Sequence, residues 1–535
     1  MNVKLLKTGL CGLTLLGAGA IEAATKRPNI VFVFSDDHAT QAIGTYGFPI
    51  AKLAPTPNLD RLADEGIRFD RALVCNSICG PSRATVLTGK HSHLNGVMVN
   101  EAASFDGSQQ TFPKLLRKAG YQTSIIGKWH LGSTPTGFDH WEVLPGQGRY
   151  YRPEFRTPGG KITEEGYVTD VITDKAIEWL KRDREPDRPF MLMVQHKAPH
   201  REWEPPVKYI DLFHDVVFPE PETLFDDYEG RTSAARDQDM SIAITLQESK
   251  DLKVGHLDRR FASQLTAAQK EAWDREVKRR TKEYQAASTN ATTLVKWKYQ
   301  YYLRDYLACV RSLDDNVGRL VQYLEESGLA ENTIVIYSSD QGFFLGEHGW
   351  FDKRFMYDES LRTPLIAKWP GVIKPGSVNS QLVSNLDFAQ TFLDIAGVTQ
   401  PDDMQGMSLV PLLKGETPEN WRKYHYYHYY EYPGWHMVYR HEGVYDGRYK
   451  LIHFYDKDEW ELMDMQTDPH ELQNQYDNPE YREVVQRMKQ ALEDQKTKYD
   501  VPPGIPAPRQ VTNPNRYYSP RRREIEREKA ASEPQ

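Results

Sequence analysis

A chain of 535 residues is too long for one small domain and suits a large α/β domain with a smaller companion. With 39% hydrophobic and 27% charged residues it is neither collagen-like nor a disordered polymer. Its formal charge of −8 argues against general binding to nucleic acid or anionic membranes, so an anionic substrate would need a locally basic pocket.

From the start of the chain, Lys4 and Lys7, an apolar run over about 10–21 and small residues at Ala18, Ala20, Ala23 and Ala24 read as a secretory signal spanning 1–24. A periplasmic or secreted protein is expected. Cys11 precedes most of the apolar run, which disfavours a lipid anchor, and no later stretch is apolar enough to span a bilayer. A large domain is expected over 25–410. Four apolar runs within it, at 29–34, 123–126, 189–194 and 333–337, read as buried strands. Each runs straight into polar residues able to do chemistry: Ser35-Asp36-Asp37-His38, Gly127-Lys128-Trp129-His130-Leu131-Gly132, Gln195-His196-Lys197-Ala198-Pro199-His200 and Ser338-Ser339-Asp340-Gln341-Gly342. Ligands of open α/β sheets bind beyond the carboxyl ends of parallel strands, so these four ends are expected to meet in one site. Helical patterns at 57–65 and 169–182 supply crossovers, 241–285 is charged and helical in composition, and 296–327 places Leu307, Val310, Leu313, Val317 and Leu320 at helical spacing. The expected fold class is an α/β sandwich with a mostly parallel central sheet. At 411–500 the pattern changes to short strands near 443–455 and a turn plus amphipathic helix over 469–499, a smaller C-terminal α+β subdomain. The proline-bearing stretch 501–535, with Arg521-Arg522-Arg523, reads as an extended or disordered tail.

Asp36, Asp37, Asp340 and Gln341 offer only oxygen donors from two strand ends, a set that suits calcium or magnesium better than zinc. A lone carboxylate at such a place usually caps a helix or opens a turn; joint placement reverses that reading. Pro81 can begin a helix, which puts Cys79 at a helix N-terminus where an anion is welcome and where Arg83 would favour a thiolate. Lys128, His130 and His200 contribute a cation and two groups expected to titrate near neutrality, and Lys353 would add positive charge beside a metal-anion pair. The run 424–436 is rich in Tyr and His; core packing explains part of it, and an outer set could stack on sugar rings. His348, Arg354 and His436 are the candidate substrate contacts. Once Cys11 leaves with the signal, Cys75, Cys79 and Cys309 remain, an odd number for an exported protein; if Cys79 is chemically altered, Cys75 and Cys309 are a possible pair.

The run Cys79-Gly80-Pro81-Ser82-Arg83, followed by Leu87-Thr88-Gly89, resembles the maturation signature of sulfatases, and Gly127-Lys128-Trp129-His130-Leu131-Gly132 resembles a second signature of the same family. From about 27 to 499 the chain resembles a type I sulfatase of the alkaline-phosphatase-like superfamily. That resemblance implies oxidation of Cys79 to formylglycine by a formylglycine-generating or anaerobic maturation enzyme, and a calcium ion held by Asp36, Asp37, Asp340, Gln341 and the modified residue 79. Many members carry asparagine or histidine where this chain has Gln341, which keeps an oxygen donor on a longer side chain. The implied mechanism is attack on sulfur by one hydroxyl of the hydrated aldehyde, then expulsion of sulfate as the second hydroxyl is deprotonated. By the same resemblance His130 assists that deprotonation, His200 protonates the leaving alcohol, Arg83 fixes the diol, and Lys128, Lys353 and the cation neutralise the sulfuryl group. Segments around His196, Phe225 and Ser339 resemble bacterial carbohydrate sulfatases of the N-acetylglucosamine-6-sulfatase type, which implies a sulfated oligo- or polysaccharide as partner. A host glycosaminoglycan and an algal polysaccharide such as ulvan both stay open. The other readings are a phosphate or phosphonate monoester hydrolase of this superfamily and a glycan-binding protein without catalysis, against which the intact set Cys79, Arg83, Lys128, His130 and His200 speaks.

Overall fold

The strands at the centre of the protein come from the apolar runs that lack a polar face, as burial on both sides of a sheet requires. The computed structural model describes residues 27–100, 104–504 and 513–532, and the expected signal over 1–24 lies outside them. In chain order the central sheet takes β1 (Asn29–Ser35), β2 (Ile67–Phe69), β3 (Gln122–Lys128), β4 (His140–Leu144), β5 (Glu154–Thr157), β6 (Gly160–Thr163), β7 (Phe190–Gln195), β8 (Thr333–Ser339), β9 (Leu365–Lys368) and β10 (Ser377–Asn379). Their spatial order is β10-β2-β9-β8-β1-β7-β3-β4-β5-β6. The middle strands β8, β1, β7, β3 and β4 are all parallel, whereas β9 runs against β8 and β2 and β5 and β6 form an antiparallel flap. The four runs predicted from sequence are thus neighbours, β8-β1-β7-β3, with their carboxyl ends side by side.

Alternation along β1 feeds two cores. Val31 and Val33 pack with α1 (Pro57–Asp64), and Ile30, Phe32 and Phe34 pack on the opposite face with α2 (Cys79–Thr88). The first face also takes α3 (Val168–Glu178), then α4 (Ala267–Ala287) and the 36-residue α5 (Ala291–Glu326), in which the predicted stripe Leu307, Val310, Leu313, Val317 and Leu320 is buried. The second face takes α6 (Phe388–Ile395). The charged stretch 241–285 is helical only from Arg259–Ala262 and Ala267–Ala287; α4 begins at a capping box in which Thr266 and Gln269 satisfy each other's backbone amides, and the residues before it form turns.

The C-terminal region is an antiparallel meander, β11 (His425–Tyr429), β12 (His441–Tyr445), β13 (Tyr449–Phe454) and β14 (Glu459–Asp464), packed against α7 (Arg482–Lys498). Every residue of β11 is buried. Tyr427 and Tyr429 enter the cluster of Trp350 and Phe355, while Tyr426 enters that of Leu451, Leu462 and Met488. Strand β11 is therefore covered on both faces and its aromatics are core, as packing alone would have them, while Trp435, beyond the strand, stays half-exposed. The tail also departs from expectation: Pro520–Ser532 form helix α8, started by Ser519, whose hydroxyl accepts from the Arg522 amide at 3.0 Å, and supported by an Arg522–Glu526 pair at 2.9 Å. Cys75 and Cys309 are free and lie in different cores, Cys75 3.3 Å from the Ser384 hydroxyl and Cys309 accepting from the Tyr167 hydroxyl at 3.8 Å, so the pairing considered for them does not form. Among the described residues no helix is long and apolar enough to cross a membrane.

Several histidines are buried where the two regions meet. Burial pushes the rings of His91 and His425 down to about 3 and that of His441 to about 4, from an ordinary 6.5. The unfolded chain takes up protons near pH 6.5 that the folded chain refuses, so stability present above that pH is lost as the pH falls. Each ring should cost about 2 kcal/mol on going from pH 7 to pH 5. The thermal midpoint is expected to drop by several degrees over that interval in a calorimetric series, and a flat profile would contradict the burial of these rings.

Candidate active site

β1 ends at Ser35 and β8 at Ser339, partners in register, so Asp36-Asp37 and Asp340-Gln341 emerge side by side. All four side chains are fully buried. Asp37 stands at φ 65°, a conformation a non-glycine residue keeps only where its surroundings hold it. Here its amide donates to Asp340 Oδ1 at 3.1 Å and its carbonyl accepts from the Tyr306 hydroxyl at 2.7 Å. Carboxylate oxygens of Asp36, Asp37 and Asp340 lie within 4.8 Å of one another, as do ligating atoms of Asp36, Cys79 and His200. Burial, with Asp340 and Asp352 adding to it against the pull of Lys353, pushes the Asp37 carboxyl up to about 6. Two oxygens in this cluster, Asp36 Oδ1 and Gln341 Oε1, are buried without a hydrogen-bond partner. Crowded carboxylates with orphaned oxygens are what a hard cation would satisfy, and the set fits calcium or magnesium. Gln341 turns its amide nitrogen toward Asp37 and Cys79, 3.8 Å from the sulfur, and its oxygen stays free as a donor to a cation.

Cys79 opens α2, and the whole helix is buried. The next amide, Gly80 N, is taken by Asn100 Oδ1 at 2.8 Å, and the Ser82 hydroxyl donates to the Asp340 carbonyl at 2.5 Å. The thiolate expected for a plain cysteine here is not favoured. Lys353 and Arg83 pull the thiol down, but burial, Asp340 and Asp37 win and push it up to about 12. Arg83 is the brace of the site: its Nε and one terminal nitrogen donate to Asp340 Oδ2 at 3.1 and 2.8 Å, and the other reaches Gln195 Oε1 at 2.7 Å and the Lys128 carbonyl at 3.1 Å. One guanidinium therefore ties α2 to the ends of β8, β7 and β3.

Lys128 pairs with Asp36 and reaches Gln147 Oε1 at 2.5 Å, and Lys353 reaches Asp37 Oδ2 at 2.8 Å. Burial drives Lys128 well below its ordinary range; Lys353 is held above its own because Asp352 and Asp37 outweigh burial. His130 and His200 do not titrate near neutrality as their spacing suggested. Burial first, and then the nearby lysines, hold both rings well below 6.5. His200 Nδ1 lies against the Arg201 carbonyl, which leaves Nε2, 3.8 Å from Asp37 Oδ2, as the lone-pair nitrogen.

Above this floor opens a cavity of about 390 Å³. His130, His200, Lys353, Arg354 and His436 line it, together with Arg149, Lys197, Arg201, Lys250 and Arg260, so a protein of net negative charge carries the basic pocket that an anionic substrate requires. Asp352, Glu202 and Glu204 are its acidic members, with burial pushing Glu204 up to about 8. Arg354 is fixed by Asp352 at 3.0 Å, by the Tyr429 hydroxyl at 3.1 Å and by Glu431 at 3.2 Å. His348, grouped with Arg354 and His436 from sequence, is elsewhere: its ring is buried on Trp350 and Tyr357 with Nδ1 3.0 Å from Asp226 and 3.0 Å from Arg231. The positive backbone φ of 57° at His348, in the short turn Glu347–Gly349, goes with that inward placement. Lys197, two residues beyond β7, and the wall made by Gln247, Lys250, Arg260 and Gln264 are cavity residues that no local motif announces in the sequence.

A family model described as Sulfatase matches residues 28–398, and one described as N-sulphoglucosamine sulphohydrolase, C-terminal, matches residues 346–498. The chain is similar to an N-acetylglucosamine-6-O-sulfatase of Bacteroides thetaiotaomicron, 50% identical over 491 residues that cover 89% of this chain and 87% of that protein. It is also similar to the N-acetylglucosamine-6-sulfatase of Homo sapiens, 29% identical over 434 residues covering 76% of this chain and 68% of that protein. A solved structure of a protein in complex with its substrate D-glucosamine-2-N,6-O-disulfate superposes with a TM-score of 0.86 at 50% identity, covering 91% of this chain and 100% of that one.

Proposed function

Because the chain belongs to the sulfatase family and is a sulfuric ester hydrolase, we propose that it removes the 6-O-sulfate of a sulfated glucosamine, using formylglycine made from Cys79 and calcium held by Asp36, Asp37, Asp340 and Gln341. The observation that carries the reading is the pair of buried, unpartnered oxygens of Asp36 and Gln341, set among carboxylates beside the helix end that presents Cys79. Calcium at that point would polarise a sulfate oxygen and relieve the mutual repulsion of the carboxylates. The hydrated aldehyde would supply a hydroxyl nucleophile where the buried thiol, held near 12, supplies none.

The chain's own residues divide the remaining work. Lys353, which Asp352 and Asp37 keep protonated, places positive charge where the sulfuryl group gains negative charge, and Lys128, paired with Asp36, adds to it once an anion beside it favours its charged form. His130, an uncharged ring with Nδ1 unpartnered, accepts a proton from residue 79. His200 serves the leaving oxygen: the lysines that depress its ring are offset once a sulfate anion sits between them, which raises its proton affinity when the substrate is bound. Arg83 positions without touching substrate. The glucosamine reading draws on the 50% identity with a relative named as a 6-O-sulfatase and on the half-exposed Trp435 at the cavity, an aromatic face suited to a sugar ring.

A panel of glucosamine saccharides bearing a single sulfate at O6, at O3 or on nitrogen tests the assignment, with released sulfate as the readout. The O6 ester is expected to turn over about a hundredfold faster than the others. Preference for another position, or for ulvan fragments, would overturn the sugar assignment, and faster hydrolysis of a matched phosphate ester would overturn the choice of sulfate. Export through the segment over 1–24, with maturation of Cys79 by a dedicated enzyme, belongs to the same proposal; sequencing of the secreted protein should find its N-terminus near residue 25.

A further inference from the structure

The wall of the cavity that carries Trp435 and His436 is built from strained backbone. His436 stands at φ 70° and Met437 at φ 51°, conformations that persist only when neighbours over-determine them. The neighbour is Asp239. Its amide donates to the His436 carbonyl at 2.7 Å, and its carbonyl lies 2.6 Å from His436 Nδ1. His436 Nε2 is in turn 3.3 Å from Asp352, which holds Arg354. Asp239 is itself buried, at 2% exposure, and its carboxylate is spoken for by the Thr245 hydroxyl at 2.6 Å and by both the amide and the hydroxyl of Ser519, the latter at 3.1 Å. Ser519 is also the cap of α8, and two residues earlier the ring of Tyr517 meets Trp435 edge-on with centroids 5.8 Å apart.

We infer that the C-terminal segment 513–532 is a positioning element of the substrate cavity: Ser519 holds Asp239, and Asp239 holds the loop that presents His436 and Trp435. The sulfate floor meets this chain of bonds at Asp352, whose carboxylate lies 3.8 Å from Lys353 Nζ, and Asp352 keeps the bond from Arg354 when the His436 loop loosens. Loss of the latch should therefore weaken the hold on the sugar and leave the sulfur chemistry intact, a rise in KM without a fall in kcat.

Ser519→Ala removes the hydroxyl bond and the helix cap, Ser519→Thr restores both, and Asp239→Asn sets a donor against the Ser519 amide while its oxygen can still accept from Thr245. For Ser519→Ala and Asp239→Asn, KM for 6-O-sulfated glucosamine is expected to rise about fivefold, the weight of roughly one hydrogen bond, with kcat unchanged. Ser519→Thr should match the wild type, and kinetics on 4-nitrophenyl sulfate, which has no sugar, should not move in any variant. Unchanged KM, or an equal loss of kcat on both substrates, would overturn the inference. Only this kinetic arm rests on the glucosamine reading. Hydrogen exchange over residues 432–439 does not: it should quicken in Ser519→Ala whatever sugar is bound, and unaltered protection of that loop would refute the latch outright.

Discussion

Cys79→Ala protein is expected to fold and to release no sulfate, with kcat/KM down by at least about a thousandfold. The side chain removed is small and makes one polar contact, the 3.8 Å approach of Gln341 Nε2, so the packing loss is slight and the thermal midpoint should stay close to that of the wild type. Everything else in the cavity survives the change, including the braces from Arg83 and the cations Lys128 and Lys353. Activity retained by the variant would remove residue 79 from the mechanism. Mass spectrometry of the peptide spanning it in the active wild type is the companion measurement: an aldehyde is expected, and an intact thiol in fully active enzyme would overturn the proposed nucleophile.

Asp340→Asn should cost nearly as much by a different route. The carboxylate accepts the Asp37 amide and two bonds from Arg83, and it supplies one of the converging oxygens of the cation set. Asparagine keeps the shape and loses the charge. Calcium content per chain is expected to fall together with activity, the latter by about a hundredfold or more. Arg83 is left with Asp36 at 3.7 Å as its carboxylate neighbour, and a buried guanidinium deprived of its main partner costs about 3–5 kcal/mol, so the midpoint should also drop. Elemental analysis of folded variant decides the point, since undiminished calcium would contradict the ligand set even if activity were lost.

The parts of this protein that sequence made legible are those that local rules govern. Strands buried on both faces leave unbroken apolar runs, and their carboxyl ends carry the chemistry; hence β1, β3, β7 and β8 and the residues just beyond them were found, with Asp36, Asp37, Asp340 and Gln341 converging as expected. What depends on the packing of distant segments was not legible. The titration of His130 and His200 and the protonation of the Cys79 thiol follow from depth of burial, which spacing does not encode. The alternating aromatics of β11 looked half-exposed because nothing local told that two cores would close on one strand. His348 sits within six residues of Arg354, yet a single turn sends it to Asp226 instead of the cavity. Helix α8 did leave a signal, Ser519 followed by Pro520 as cap and first residue, but its charged and nearly apolar-free composition hid it.

The cover over Cys79 is built from parts of the chain that do not yet exist when it is made. Gln341 follows it by 262 residues, Asn385 reaches Ser82 across 303, and Tyr427 reaches Ser77 across 350. At about 5–20 residues per second, a growing chain leaves that segment uncovered for tens of seconds. The thiol, with no exposure in the finished fold, is open to another protein only before these segments close over it. Any enzyme that rewrites residue 79 must therefore win a race against folding, and a molecule that closes unmodified stays unmodified until it unfolds.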